Sequence, residues 1–203
     1  MKKIAYIIVM LIVIPNTWAK ETNDPNQLPK EPDQLVKNRV DLVVSILANK
    51  ALDKDAKTEK IVKAVSPVTD FKLMSMLALG KTHWNAMTPE QQQRFEDLFI
   101  NRLKNFYGEK LHLYKDETIE FQKVRKIKSR AYVPTLLKTD NDPIQILFKL
   151  HNRDGAWKIY DLEIQDVSII MSYRSQFSEI LRTGTIEDLL KKLESPDPEQ
   201  DEQ

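Results

Sequence analysis

The side chains that could perform chemistry in this chain are few and scattered. The three histidines, His83, His112 and His151, lie far apart and lack the spacing of metal ligands. Ser168 and Ser175 lack the glycines of a nucleophile elbow. The four glycines form no phosphate-loop or dinucleotide-binding pattern. The sequence therefore favours binding over catalysis, with no metal or cofactor.

One pair keeps an enzymatic alternative open. Tyr160 and Asp161 are adjacent, and a tyrosine with a carboxylate in an apolar pocket can serve a small-molecule isomerase. In a strand, however, Asp161 and Glu163 alternate with Tyr160 and Leu162, so the two acids are expected to face solvent or a helix end. A hydrolase or isomerase would need an inward carboxylate with a raised pKa.

Residues 157–177 are the most informative stretch. A strand ends in a polar turn and runs directly into a helix, with aromatic residues in both parts (Trp157, Tyr160, Tyr173 and Phe177). Because this block contains no nucleophile–base pair, metal cluster or phosphate loop, it predicts an apolar binding surface.

Composition excludes several classes of protein. The chain has 31 basic and 30 acidic residues, so it lacks the positive excess of a nucleic-acid binder. There is no cysteine, so a core rather than disulfides must stabilise the fold. Four glycines and 30% charged residues are typical of a helix-rich globular domain.

The first residues predict an export signal that is cleaved after about Ala19. Lys2 and Lys3 precede an apolar run from Ile4 to Ile14, which at eleven residues is too short to span a bilayer. Cleavage leaves 29 basic and 30 acidic residues, a net charge of −1. We expect a signal peptide over 1–19, a flexible lead-in over 20–33, a single domain over 34–194 and an acidic, disordered tail over 195–203.

Periodicity predicts helices first. Apolar residues at helical spacing mark one helix from about residue 35 and a second around Ile61. Ser66-Pro67 predicts the start of a third helix, which ends at Gly80. Thr88, followed by Pro89 and Gln91, predicts a capping box that begins a long helix. Near the C-terminus, Val167-Ser168 is expected to open a helix, and Thr185 a last short one.

The middle of the chain changes to an alternating pattern. Four strands are predicted, around residues 119–121, 132–137, 144–150 and 160–164, with short polar loops that favour antiparallel hairpins. The expected class is therefore α+β, with helices packed on a curved, mostly antiparallel four-stranded sheet.

Three segments, taken in order, resemble one known family. The first contains Leu79-Gly80-Lys81 and Thr88 to Phe95, the second Leu103 to Tyr107, and the third the 157–177 block with its Trp-Lys-x-Tyr-Asp strand and Ser-Tyr-Arg-Ser-Gln-Phe helix. This order and spacing are similar to the MlaC, or toluene-tolerance, family. One departure is Gln165-Asp166, where that family typically has Glu-Gly, and glycine supplies positive φ more readily than aspartate.

The resemblance implies a cone-shaped fold, of the nuclear-transport-factor-like or cystatin-like kind, and a periplasmic phospholipid carrier. Such a carrier works between an outer-membrane lipoprotein–porin complex and an inner-membrane ATP-binding-cassette (ABC) transporter, and so maintains the lipid asymmetry of the outer membrane. The ligand would be a phospholipid with both acyl chains buried. The alternative is a periplasmic interaction or chaperone module with a solid core.

The residues expected to line the lipid site lie on two helices, the inner strand positions and the penultimate helix. They are Phe71, Met74, Leu77, Phe99, Leu103, Phe106, Val133, Phe148, Tyr160, Leu162, Ile164 and Tyr173. Periodicity alone would equally assign them to an ordinary core, and the resemblance favours the lipid. Separately, five basic residues among the eight from Lys123 to Arg130 could meet an acidic partner or anionic headgroups, or form a solvated hairpin.

Overall fold

The computed structural model describes residues 29–111, 118–138 and 142–195. The predicted signal peptide, residues 20–28 of the lead-in, residues 196–203 of the tail, and His112 lie outside these ranges. The helices are α1 (Pro32–Ala48), α2 (Lys54–Val65), a 3-10 turn (Ser66–Val68), α3 (Phe71–Leu79), α4 (Lys81–Ala86), α5 (Pro89–Leu111), α6 (Ile169–Thr183) and α7 (Ile186–Glu194). The strands are β1 (Thr118–Phe121), β2 (Arg125–Ile127), β3 (Arg130–Lys138), β4 (Ile144–Arg153), β5 (Ala156–Ile164) and β6 (Val167–Ser168).

The α+β class is confirmed, but the expected four-stranded sheet has six strands. The order is β1-β3-β4-β5-β6, with β2 also paired to β3, and every strand pair is antiparallel. The two strands that the sequence did not predict are β2, of three residues, and β6, of two. Both are too short to show an alternating pattern.

Hydrogen bonds at the helix starts confirm the predicted cap at Thr88 and correct the one predicted at Ser66. Thr88 and Gln91 form the expected reciprocal capping box, with distances of 3.0 and 3.2 Å. Ser66 is not the cap of α3, because its hydroxyl donates to the carbonyl of Val62 at the end of α2 (2.7 Å). Asp70 caps α3 instead, accepting from the amide of Leu73 at 2.9 Å.

Ser168 opens α6 as expected, and a short strand precedes the helix. Val167 and Ser168 pair with β5 as β6, so the helix begins one residue later than Ser168. The hydroxyl of Ser168 then caps α6 by accepting from the amide of Met171 (3.1 Å). The preceding turn uses positive φ at both Gln165 (49°) and Asp166 (62°), so the departure from Glu-Gly retains left-handed backbone without glycine.

Two apolar clusters form the core. The helical cluster joins α3, α4, α5, α6 and α7, and its aromatic centre consists of Trp84, Phe95, Phe99, Tyr173 and Phe177. The sheet cluster joins Leu35 and Val36 of α1, together with Val68, to Ala131, Val133, Leu150, Trp157 and Ile159 of the sheet. Leu162 packs against both clusters and so links them.

A half-covered apolar sheet face as the candidate ligand site

Strand register places four of the predicted lining residues of the strands, Val133, Phe148, Leu162 and Ile164, on one face, here called the inner face. Val133 pairs with Phe148, and Phe148 pairs with Leu162, so these three side chains form a row across β3, β4 and β5. Thr135, Ile146 and Ile164 form the next row. Because paired residues share a face, the register extends the inner face along each strand.

The helices cover this face completely at one end. Ala131, Val133 and Leu150 have no exposed surface, since they lie beneath Leu35 and Val36 of α1. We call this the closed end of the sheet. It lies at the start of β3 and the end of β4.

Coverage decreases toward the other end, here called the open end. Five apolar residues of the inner face are only half-buried there: Ile119, Leu137, Ile144, Ile146 and Ile164. Thr135, which pairs with Ile146, is the buried exception. Val167 of β6, paired with Ile164, is 59% exposed. A half-covered apolar sheet face next to a packed helical layer is a surface that can accept hydrocarbon.

The structure brings most of the predicted lining residues together. Nine of the twelve belong to the helical cluster or pack against it: Phe71, Met74, Leu77, Phe99, Leu103, Tyr160, Leu162, Ile164 and Tyr173. Val133 and Phe148 lie in or against the sheet cluster instead. Phe106 is half-buried on α5. Their contact with a ligand stays a prediction.

The predicted residues differ in accessibility. Phe99 has no exposed surface, and its ring meets that of Tyr173 edge to face with centroids 5.0 Å apart. Such residues form a wall that is already packed. Ile164 and Leu162 are half-buried and lie where that wall meets the open end. These two keep exposed surface at the open end, whereas Phe99 keeps none.

Sequence reasoning missed four inner-face residues of the open end: Ile119, Leu137, Ile144 and Ile146. The signal was present, because Ile144 and Ile146 alternate with the predicted Phe148. The sequence does not show the register between β3 and β4, and this register places Leu137 opposite Ile144.

Tyr160 does not follow the alternation expected for it. The register shifts between Lys149 and Leu150, which leaves Tyr160 unpaired in a β-bulge. Its ring therefore lies beside His151, with centroids 6.0 Å apart, while it also packs against the helical cluster. Burial raises the pKa of the Tyr160 hydroxyl above its ordinary value.

Asp161 was expected to face either solvent or a helix end. It is buried, with 4% of its surface exposed, and it faces the start of α6. Its carboxylate accepts from the Ser168 hydroxyl (2.7 Å) and the Ile170 amide (3.2 Å) at the start of α6. It also pairs with Lys149 at 3.1 Å. These contacts engage both carboxylate oxygens, so Asp161 holds the start of α6 against β5.

No group of three or more His, Asp or Glu residues suited to a metal ion occurs within the three described ranges. His151 instead contacts the carboxylate of Asp70 at 2.8 Å. Both residues line a recess of about 390 Å³ at the edge of the sheet. Among the helices that the structure describes, none is long and apolar enough to cross a membrane.

Comparison with known proteins gives concordant results. The family model described as MlaC protein matches residues 37–195. The toluene tolerance protein ttg2D of Pseudomonas putida is 26% identical over 124 residues, which is 59% of this chain and 57% of that protein. The chain thus spans little more than half the length of this curated relative.

A solved structure gives the same fold. It is a phospholipid-binding protein from Ralstonia solanacearum in complex with a phospholipid, 25% identical, with a TM-score of 0.73. The match covers 80% of this chain and 94% of that one.

Proposed function

The chain belongs to the MlaC family, and on that premise we propose that it is a periplasmic phospholipid carrier without catalytic activity. It takes up one phospholipid, shields the acyl chains on the inner face of the sheet and leaves the headgroup in water. It exchanges this lipid with an outer-membrane lipoprotein–porin complex and an inner-membrane ABC transporter, which maintains outer-membrane lipid asymmetry. The phospholipid bound in the Ralstonia structure supports the choice of ligand.

The observation that carries the proposal is the unequal coverage of one apolar face. Strand β4 is fully buried at Leu150 but leaves Ile146 half-buried, and Ile164, its partner on β5, is also half-buried. Burial of each methylene gives about 0.8 kcal/mol, so several methylenes against this face hold a lipid without any charged contact. Apolar burial without charged contacts suits a carrier, because a carrier must both accept and release its ligand.

The first experiment is mass spectrometry of the organic extract of protein purified from the periplasm, beside native mass spectrometry of the intact protein. The proposal expects stoichiometric diacyl phospholipid. A protein that is empty and also fails to take lipid from vesicles would refute it. The interaction module with a solid core would then be the better explanation, and the tightly packed aromatic centre around Phe99 would be its support.

A matched pair of variants tests the face. Ile164→Asn places an amide on the inner face at the open end, and Leu147→Asn places the same group on the opposite face of the neighbouring strand. Both residues are half-buried, so their effects on folding should be similar. Lipid content should fall only in Ile164→Asn. Equal lipid content in the two folded variants would reject this face as the site.

A further inference from the structure

A basic stripe crosses the outer face of the sheet at its closed end. By register, Ile127 of β2 pairs with Arg130, Arg130 pairs with His151, and His151 pairs with Lys158. Paired residues share a face, and four strands span about 14 Å at a spacing of about 4.8 Å. The stripe therefore runs from the β2–β3 hairpin to the outer edge of β5.

The hairpin concentrates positive charge. Residues 122–132 contain five basic residues and no acidic one. Because the net charge of the whole chain is only +1, the rest of the chain has a net charge of −4. Lys126 pairs with Glu31, and the guanidinium of Arg125 lies 4.7 Å from the ring centroid of Tyr132. Lys123, Lys128 and Arg130 are exposed and form no ion pair within the described ranges.

The stripe ends at the recess of about 390 Å³ beside the β4–β5 turn. Lys72, Arg153 and Lys158 line it together with His151. Its acids are Asp70, which contacts His151, and Glu96 and Asp154. The amide of Asn152 next to the turn donates to the Ser129 carbonyl at 2.7 Å, which ties the hairpin to the strand that borders the recess.

We propose that this basic stripe and recess dock an extended, acidic segment of a partner protein. The exposed cations meet the carboxylates of the segment, Ile127, which is 48% exposed, offers an apolar contact, and the recess receives the end of the segment.

An acidic protein segment fits this surface better than an anionic membrane does. The recess is concave, so the end of a polypeptide can enter it and a flat bilayer cannot. The stripe also lies on the outer face, near Arg130, whereas the open apolar end lies near Leu137. Seven residues of strand separate them by about 23 Å, so a flat bilayer at the open end would not reach the stripe.

The inference goes beyond lipid carriage and does not depend on it, because the stripe uses the outer face and the open end uses the inner one. It gives a carrier a way to bind a partner while its open end faces elsewhere. Charge steering would speed this encounter, and salt would weaken it.

The test uses the full chain and a labelled peptide in which every second residue is glutamate, with a glutamine version as the peptide control. The variant is Lys123→Glu, Lys128→Glu and Arg130→Glu combined. The protein control carries the same charge change on α2, at the exposed residues Lys54, Lys60 and Lys63. Circular dichroism and lipid content establish that both variants fold and keep the open end intact.

Fluorescence anisotropy should show binding of the glutamate peptide alone, weakened about tenfold or more in the hairpin variant, as expected when exposed ion pairs become repulsive. The α2 variant should stay close to wild type. Equal binding by both variants overturns the proposal, and so does an absence of peptide binding by wild type, which would leave the charges as protection of an edge strand. Hairpin-dependent binding to phosphatidylglycerol vesicles without peptide binding overturns it in favour of a membrane surface.

Discussion

Asp161 offers the sharpest test of how the 157–177 block is held together. Its carboxylate joins β5 to the first turn of α6 through Ser168 and Ile170 and pairs with Lys149. Replacement by alanine removes all three contacts and leaves a buried amide and hydroxyl without this partner. We therefore expect Asp161→Ala to lower the free energy of unfolding while the fold is retained.

The magnitude follows from the geometry. Hydrogen bonds to a charged group contribute about 1.5–3 kcal/mol each and are not additive. Breaking a fully buried ion pair costs about 3–5 kcal/mol, but Lys149 keeps a second carboxylate, Glu163, at 2.5 Å. We expect about 3 kcal/mol for Asp161→Ala. In a domain of this size that corresponds to a melting temperature lower by roughly 6–12 °C.

Urea unfolding followed by circular dichroism measures the effect, with the slope against denaturant as a check on two-state behaviour. Asp161→Asn keeps one acceptor and should cost less, about 1–2 kcal/mol. Glu163→Ala, at a side chain 23% exposed, should cost about 1 kcal/mol or less. A cost below about 1 kcal/mol for Asp161→Ala, or an equal cost for Glu163→Ala, would refute the assignment of Asp161 as the junction between strand and helix.

Two further predictions concern stability. Thr88→Ala removes the acceptor for the Gln91 amide and should lower the free energy of unfolding by about 1 kcal/mol in urea titration; an unchanged midpoint would show that the cap contributes nothing. For Lys149, burial lowers the pKa and hydrogen bonds to Glu163 and Asp161 raise it, and the net result is a pKa above its ordinary 10.5. A raised lysine pKa stabilises the fold fully below that ordinary value, and the contribution disappears as pH rises through the raised pKa. Unfolding free energy should therefore fall above about pH 10.5, and Lys149→Met should remove this part of the decline.

Local signals in the sequence predicted much of this fold. The capping box at Thr88 and Gln91 formed as expected, because it depends only on residues three apart. Strands β3, β4 and β5 were also found, since each has nine or ten residues in which alternation can be read. The family resemblance was confirmed over residues 37–195.

The errors arose where tertiary contacts decide. Ser66 looked like a cap, yet its hydroxyl bonds back into α2, and Asp70 caps α3. Tyr160 was expected beside Leu162 on the inner face, but the bulge turns its ring toward His151. The spacing of residues in the sequence predicts neither outcome. The first depends on which carbonyl accepts the Ser66 hydroxyl, and the second depends on where the register between β4 and β5 shifts.

The open end of the sheet is difficult to explain by folding stability alone. Buried apolar surface contributes about 25 cal/mol per Å², and half-buried residues such as Ile144, Ile146 and Ile164 forgo part of that gain. The closed end shows that helices of this fold can cover the same strands. Under the proposed function, the acyl chains of a bound phospholipid complete this burial, which would account for the difference. It also predicts that protein loaded with phospholipid unfolds at a higher temperature than delipidated protein, since a ligand that binds only the folded state stabilises it. Identical melting of the loaded and delipidated forms would remove this explanation for the apolar character of the open end.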